Sequence, residues 1–140
     1  MGRSFHWTDA HAVFLPEIDA EHRNIYRAGS SIDHALMAGM RVPQIRELMR
    51  AAVSAIDDHF AHEERLMRET RFSGFEWHKR QHDAARKRVK AFGRRVEAGE
   101  KQAAREMLDY LGPWMRDHVG LADRMMASYI RNRQRVRSAA

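Results

Sequence analysis

The 140-residue sequence contains no cysteine, which excludes disulfide staples, thiolate nucleophiles, zinc ribbons and cysteine-held iron–sulfur clusters. Proline and glycine are scarce, at three and eight residues, too few to punctuate a many-stranded fold. Long apolar runs are missing as well. Near the start the longest is Ala12-Val13-Phe14-Leu15, far below the roughly 20 residues of a membrane span and too short for a signal-peptide core. Gly2 follows Met1, but His6 stands where N-myristoylation needs Ser or Thr. What is present, 44% hydrophobic and 31% charged, suits a globular chain with a filled core rather than a disordered one. The expectation is a single cytoplasmic, all-α domain over residues 1–140 with no output domain of its own, so that any signalling passes through a separate partner.

Charge of one sign is in excess but localised. The net charge is +6, and the surplus sits at Lys79, Arg80, Arg86, Lys87, Arg88, Lys90, Arg94 and Arg95, then at Arg131, Arg133, Arg135 and Arg137. A basic face attracts nucleic acid or anionic lipid in general. Here no aromatic residues interleave the last arginines to stack on bases. A solvated helix face is the simpler reading, with neither nucleic acid nor membrane as a partner.

Four stretches carry a helical period. The first, Asp19 to Ala38, sets His22, Ile25, Gly29, Ile32 and Leu36 on one face; the second, Pro43 to Arg68, aligns Ile45, Leu48/Met49, Ala52/Val53 and Ile56. A third, Glu76 to Val96, carries Ala85, Val89, Phe92 and Val96, and a fourth begins near Glu100 with Met107/Leu108, Leu111, Met115, Leu121/Ala122, Met125 and Ile130. Gly112-Pro113 predicts a kink or restart inside the fourth. Residues 1–18 lack the period and read as an extended arm packed through Phe5, Trp7, Phe14 and Leu15; residues 131–140 read as a basic tail. Short connections between long helices imply an up-down-up-down four-helix bundle.

Polar residues interrupt the inward stripes. Past Ile56 the second helix continues inward through His59 and Glu63, four apart and only about 40° from each other around the axis. On the third, the stripe runs back from Ala85 to His82 and His78; the fourth passes from Met115 to His118, and the first begins with His22. Buried charges and unpaired polar groups cost several kcal/mol unless partnered. One inward histidine is usually a hydrogen-bonded core residue, but five converging with a carboxylate call for a common partner, and a metal satisfies all of them at once. Asp123 fits less well. Five residues after His118, it falls about 140° away on a regular helix, so it joins the set only if the helix is deformed, which Gly120 would ease.

The ordered set Ile18-Asp19-Ala20-Glu21-His22, His59-xxx-Glu63, His78-xxx-His82 and His118-xxxx-Asp123 resembles the hemerythrin family, specifically its bacterial members, over residues 5 to about 130. The resemblance implies a centre of two iron ions, with His78, His82 and His118 on one and His22 and His59 on the other. Glu63, Asp123 and an oxo or hydroxo oxygen from solvent would bridge them. One position, on the iron held by His22 and His59, is then open for dioxygen. The implied function is reversible dioxygen binding for carriage, storage or sensing, rather than catalysis. A di-iron enzyme reducing peroxide or nitric oxide, or an iron-handling protein, stands as the alternative, because His and carboxylate do not select iron uniquely. Three departures from the family pattern concern the surroundings of the metals: Glu21 where Gln is frequent, Met115 where Leu is common, and no proline in the Phe72–Trp77 connection.

Among the remaining residues, His34 and His62 fall off the inward faces, with an outer hydrogen-bonding role open to His62. Glu64 and Asp58 are expected to point outward. Trp77, Trp114, Phe60 and Tyr26 are expected to wall the site, and Met107, Met115, Met125 and Met126 to fill the core.

Overall fold

A computed structural model of the chain describes residues 5–139; the first four positions of the expected arm and Ala140 of the expected tail lie outside them. Helix α1 spans Pro16–Met37, α2 Val42–Glu69, α3 Phe75–Glu97, α4 Gln102–His118 and α5 Arg124–Ala139, with α4 and α5 joined by a π-helical turn, Val119–Asp123. Consecutive helices pack on one another and α4 closes back on α1, so α4, the π turn and α5 form the fourth rod of a four-helix bundle. No helix among the described residues is long and apolar enough to cross a membrane.

Local chemistry explains the ends. Pro16 sits in the first turn of α1, where its missing N–H leaves nothing unsatisfied, and Glu17 and Asp19 follow at the positive end of the helix dipole. The helix therefore starts three residues before the expected Asp19, and the arm is correspondingly shorter. Pro43 plays the same part in α2. Gly39 and Gly99, at φ 69° and 100°, turn the chain out of α1 and α3 in a conformation that costs other residues energy.

The helix does not break and restart at Gly112-Pro113: α4 runs through Pro113. The carbonyl that loses its partner to Pro113 belongs to Asp109, four residues earlier on the exposed face, where water can serve it. The irregularity comes later, at the π turn, which contributes one residue more than an α turn and shifts everything after it by one position. Leu121 and Met125, expected inside, are consequently 57% and 50% exposed, while Ala122, Met126 and Ile130 fill the core. The expected basic tail continues α5 as helix to Ala139.

Ahead of α1 the chain makes a short 3-10 turn at Asp9–His11 and packs Phe5, Val13 and Leu15 into the core. Phe5 lies directly on Gly29, where any Cβ would collide with its ring. The buried carboxylate of Asp19 accepts hydrogen bonds from the backbone N–H groups of Val13 (2.8 Å) and Phe14 (3.1 Å). Phe14 takes φ 63° there, and its side chain faces solvent instead of packing as expected, beneath the Arg131 guanidinium. Arg124 and Arg131 donate to the carbonyls of Ala10 and Val13, fastening this segment to the last rod.

Candidate metal centre

Each rod delivers its polar residues to one level of the bundle: α1 brings His22, α2 His59 and Glu63, α3 His78 and His82, α4 His118, and the π turn Asp123. All seven side chains are buried. Glu63 sits between two groups of imidazoles, with Oε2 3.1 Å from His59 Nε2 and 3.6 Å from His22 Nε2, and Oε1 3.0 Å from His82 Nε2 and 3.5 Å from His78 Nε2. Asp123 repeats the arrangement. Its Oδ2 is 3.1 Å from His22 Nε2, and its Oδ1 is 3.0 Å from His78 Nε2 and 3.1 Å from His118 Nε2. Each carboxylate thus turns one oxygen to a two-histidine side and the other to a three-histidine side.

Protein groups alone leave this cluster unsatisfied. Both oxygens of Glu63 and of Asp123, both nitrogens of His22 and Nε2 of His82 are buried without a well-formed hydrogen bond. Orphaned polar atoms are rare inside proteins, and several sharing one point imply a missing partner. The donors fall into two overlapping sets whose atoms lie within 4.8 Å of one another: Glu63, His78, His82, His118 and Asp123, and His22, His59, Glu63 and Asp123. Imidazole and carboxylate suit a divalent transition metal, so the residues present fit a metal pair.

Charge among the protein groups points the same way. Burial would push Glu63 up, but the neighbouring imidazoles outweigh it and hold the carboxyl well below its usual range. Asp123 is lowered in the same manner, against both its burial and the charge of Glu63. Burial opposes protonation of His59 and His78, yet the carboxylates beside them raise these imidazoles to about 10 and about 9; His22 is raised as well. A cation bound among them takes over the role of those protons.

An outer set of partners fixes three of the rings. His82 Nδ1–H donates to Glu64 (2.8 Å), which in turn accepts both arms of Arg86 (2.7 and 3.1 Å). His118 Nδ1–H donates to Gln81 Oε1 at 2.9 Å, and His59 Nδ1–H to Glu21 Oε1 at 2.6 Å. Glu64 is therefore buried rather than outward-facing, because α3 brings His82 and Arg86 against it. Only the Glu64–Arg86 pairing across two helices could have revealed this, and neither helix shows it alone. His62 does not reach a candidate ligand directly; it contacts the second oxygen of Glu21 at 2.6 Å. His34 and Asp58 are exposed, as their helical positions imply.

Aromatic rings line the histidine side of the cluster. Trp114 stacks on His118 (4.4 Å between centroids, 12° between planes) and Phe60 on His82 (4.1 Å, 12°), with Phe60 and Trp114 edge to face. Tyr26 and Met115 are buried, whereas Trp77 is 37% exposed and so does not form part of this wall as expected.

Comparison with known proteins yields one consistent set of relatives. A family model described as the hemerythrin HHE cation binding domain matches residues 13–130. A bacteriohemerythrin of Stenotrophomonas maltophilia is 29% identical over 125 residues, covering 89% of this chain and 80% of that protein. A bacteriohemerythrin of Aquifex aeolicus is 30% identical over 115 residues, covering 81% and 87% respectively. A myohemerythrin of Theromyzon tessulatum shares 22% over 115 residues, covering 82% and 84%.

Proposed function

The chain belongs to the hemerythrin family, and from that premise we propose that it is a non-haem di-iron protein that binds dioxygen reversibly. His78, His82 and His118 would hold one iron, His22 and His59 the other, with Glu63 and Asp123 spanning both. When bound, the metal pair supplies the two electrons that dioxygen borrows and returns on release.

The chain's own residues do the rest. The observation that carries the reading is the two-sided presentation of Glu63 and Asp123, one oxygen toward each histidine group. Three imidazoles against two leaves the His22–His59 side one protein donor short, and a small ligand would bind there. Two buried carboxylates offset part of the charge of two divalent cations without importing solvent ions. Phe60, stacked on His82, and Trp114, stacked on His118, set apolar surface against these histidines, which limits the access of water. By accepting hydrogen bonds, Glu21, Glu64 and Gln81 keep Nδ1 of His59, His82 and His118 protonated, so that Nε2 of each faces the interior as a metal ligand.

The test is optical. Protein purified without added metal and analysed for elements should carry two irons per chain. After anaerobic reduction, air should raise a visible charge-transfer band that fades under vacuum and returns with air. A colourless protein, or a band that never reverses, refutes reversible binding; rapid peroxide or nitric oxide consumption with no reversible band identifies an enzyme instead.

A further inference from the structure

We propose that Glu21 is a positioning residue that tunes the metal pair: its carboxylate, bonded to His59 and paired with no lysine or arginine among the described residues, makes the iron on the His22–His59 side the readier electron donor. The inference rests on the di-iron reading above and goes beyond it by assigning an electronic asymmetry to one side chain.

The argument is a comparison of what stands behind each imidazole. His22 Nδ1 and His78 Nδ1 have no hydrogen-bond partner among the described residues. His118 has a neutral amide, Gln81. His82 has a carboxylate, but Glu64 is gripped at 2.7 and 3.1 Å by Arg86, which it shares with Asp57 and Asp83 and which offsets part of its charge. Only His59 faces a carboxylate, at 2.6 Å, that pairs with no lysine or arginine among the described residues. Arg65 and Asp58 line the same cleft of about 420 Å³ beside Glu21 without pairing with it.

The helix geometry holds this carboxylate in place. Glu21 precedes His22 on α1 and so projects about 100° away from it, into the groove between α1 and α2. There His59 and His62, three positions apart on α2, each present Nδ1 at 2.6 Å to one of its oxygens. One turn earlier on α1, Glu17 lies 3.6 Å from His62 Nε2, adding a second negative group behind the first. Glu21 is one-third exposed, so water softens its field without removing the direct bond to His59.

A carboxylate accepting Nδ1–H draws that proton toward itself and makes Nε2 a stronger donor to a metal. Stronger donation stabilises the more oxidised ion, so the reduction potential falls and spontaneous oxidation in air quickens. Gln81 would exert the same pull on the three-histidine side only if it were replaced by a carboxylate.

That symmetry supplies the experiment. Glu21→Gln keeps the shape and removes the charge; Gln81→Glu adds a charge behind His118. In iron-loaded full-length protein, E21Q should raise the midpoint potential and slow oxidation in air on the order of tenfold, while Q81E should lower the potential. In protein loaded with zinc alone, the far-downfield proton resonance of the His59 Nδ1–H should move upfield in E21Q. If E21Q and Q81E both load two irons and leave the potential unmoved, or if E21Q lowers it and Q81E raises it, the tuning is refuted. If E21Q fails to load iron, Q81E and the zinc-loaded resonance decide: an unshifted Q81E potential, or a parent resonance lacking the downfield position, overturns the proposal. A parent protein that takes up no iron overturns the di-iron reading itself, and the tuning with it.

Discussion

Deleting Gly120 would remove the extra residue of the π turn, and the structure fixes what should follow. With Gly120 gone, Asp123 stands four positions after His118, about 40° past one turn of a regular helix, as Glu63 stands after His59. Met126 and Ile130 then lie seven and eleven positions after His118, each within about 20° of its face, so the core contacts of α5 survive. Removing a helical glycine gains about 1 kcal/mol, and restoring an α-type hydrogen bond adds about 1 kcal/mol. The metal-free deletion variant should therefore melt higher by several degrees, at about 4 °C per kcal/mol for a chain of this size. Metal binding should suffer nevertheless. His59 and Glu63 bring nitrogen and oxygen to 3.1 Å across a regular turn, and His118 and Asp123 reach the same 3.1 Å across the π turn. Aspartate is shorter than glutamate by one C–C bond, roughly 1.5 Å, and the π turn makes up that length. Deletion alone should lose one metal per chain, and deletion combined with Asp123→Glu should recover it. Circular dichroism melts and metal counting read both results. Unfolding of the metal-free deletion, or failure of the glutamate to restore the second metal, would refute the account of the turn.

Other outcomes follow from the same coordinates. Chelator-stripped protein should lose stability as pH rises from about 6.5 toward 10, because His59 and His78 are raised to about 10 and about 9 and their charged forms stabilise the fold only while protonated. Below pH 5 it should lose stability again as Glu63 and Asp123, both lowered, take up protons; urea midpoints independent of pH in either window would contradict this. Metal affinity should increase with pH across the upper window, since each ligand nitrogen must shed its proton first, and calorimetry in buffers of different ionisation enthalpy would count the protons released. Gly29→Ala should displace the Phe5 ring and cost about 1–3 kcal/mol, less the helix gain of alanine. In a Phe5→Ala background the same change should instead stabilise, and equal effects in both backgrounds would rule out the contact.

Much of the fold was legible because burial and helical period agree along α1, α2 and α3: Ile25, Ile32, Ile45, Ile56, Val89 and Val96 lie inside where their spacing puts them. The same regularity brings His22, His59, Glu63, His78, His82 and His118 to one level. Asp123 was ambiguous because a fixed 100° step cannot describe a π turn, and the error propagates, which is why Leu121 and Met125 were assigned inward and face out. Glu64 was misassigned for another reason. Its burial is created by Arg86 on a different helix, and no pattern within α2 encodes that. Trp77 misled through residue type alone; adjacency to His78 on a helix points it a quarter-turn or more away.

The guanidinium straps from Arg124 and Arg131 to Ala10 and Val13 join the chain's opening stretch to its closing rod. A bundle of four rods has a natural seam between first and fourth, where nothing covalent prevents the rods from splaying. Stitching that seam from both sides makes the bundle behave as a closed ring under thermal agitation. Toward the other end of the seam the Arg105 guanidinium on α4 meets Asp33 on α1 at 2.7 Å, so the first and fourth rods are tied at two levels.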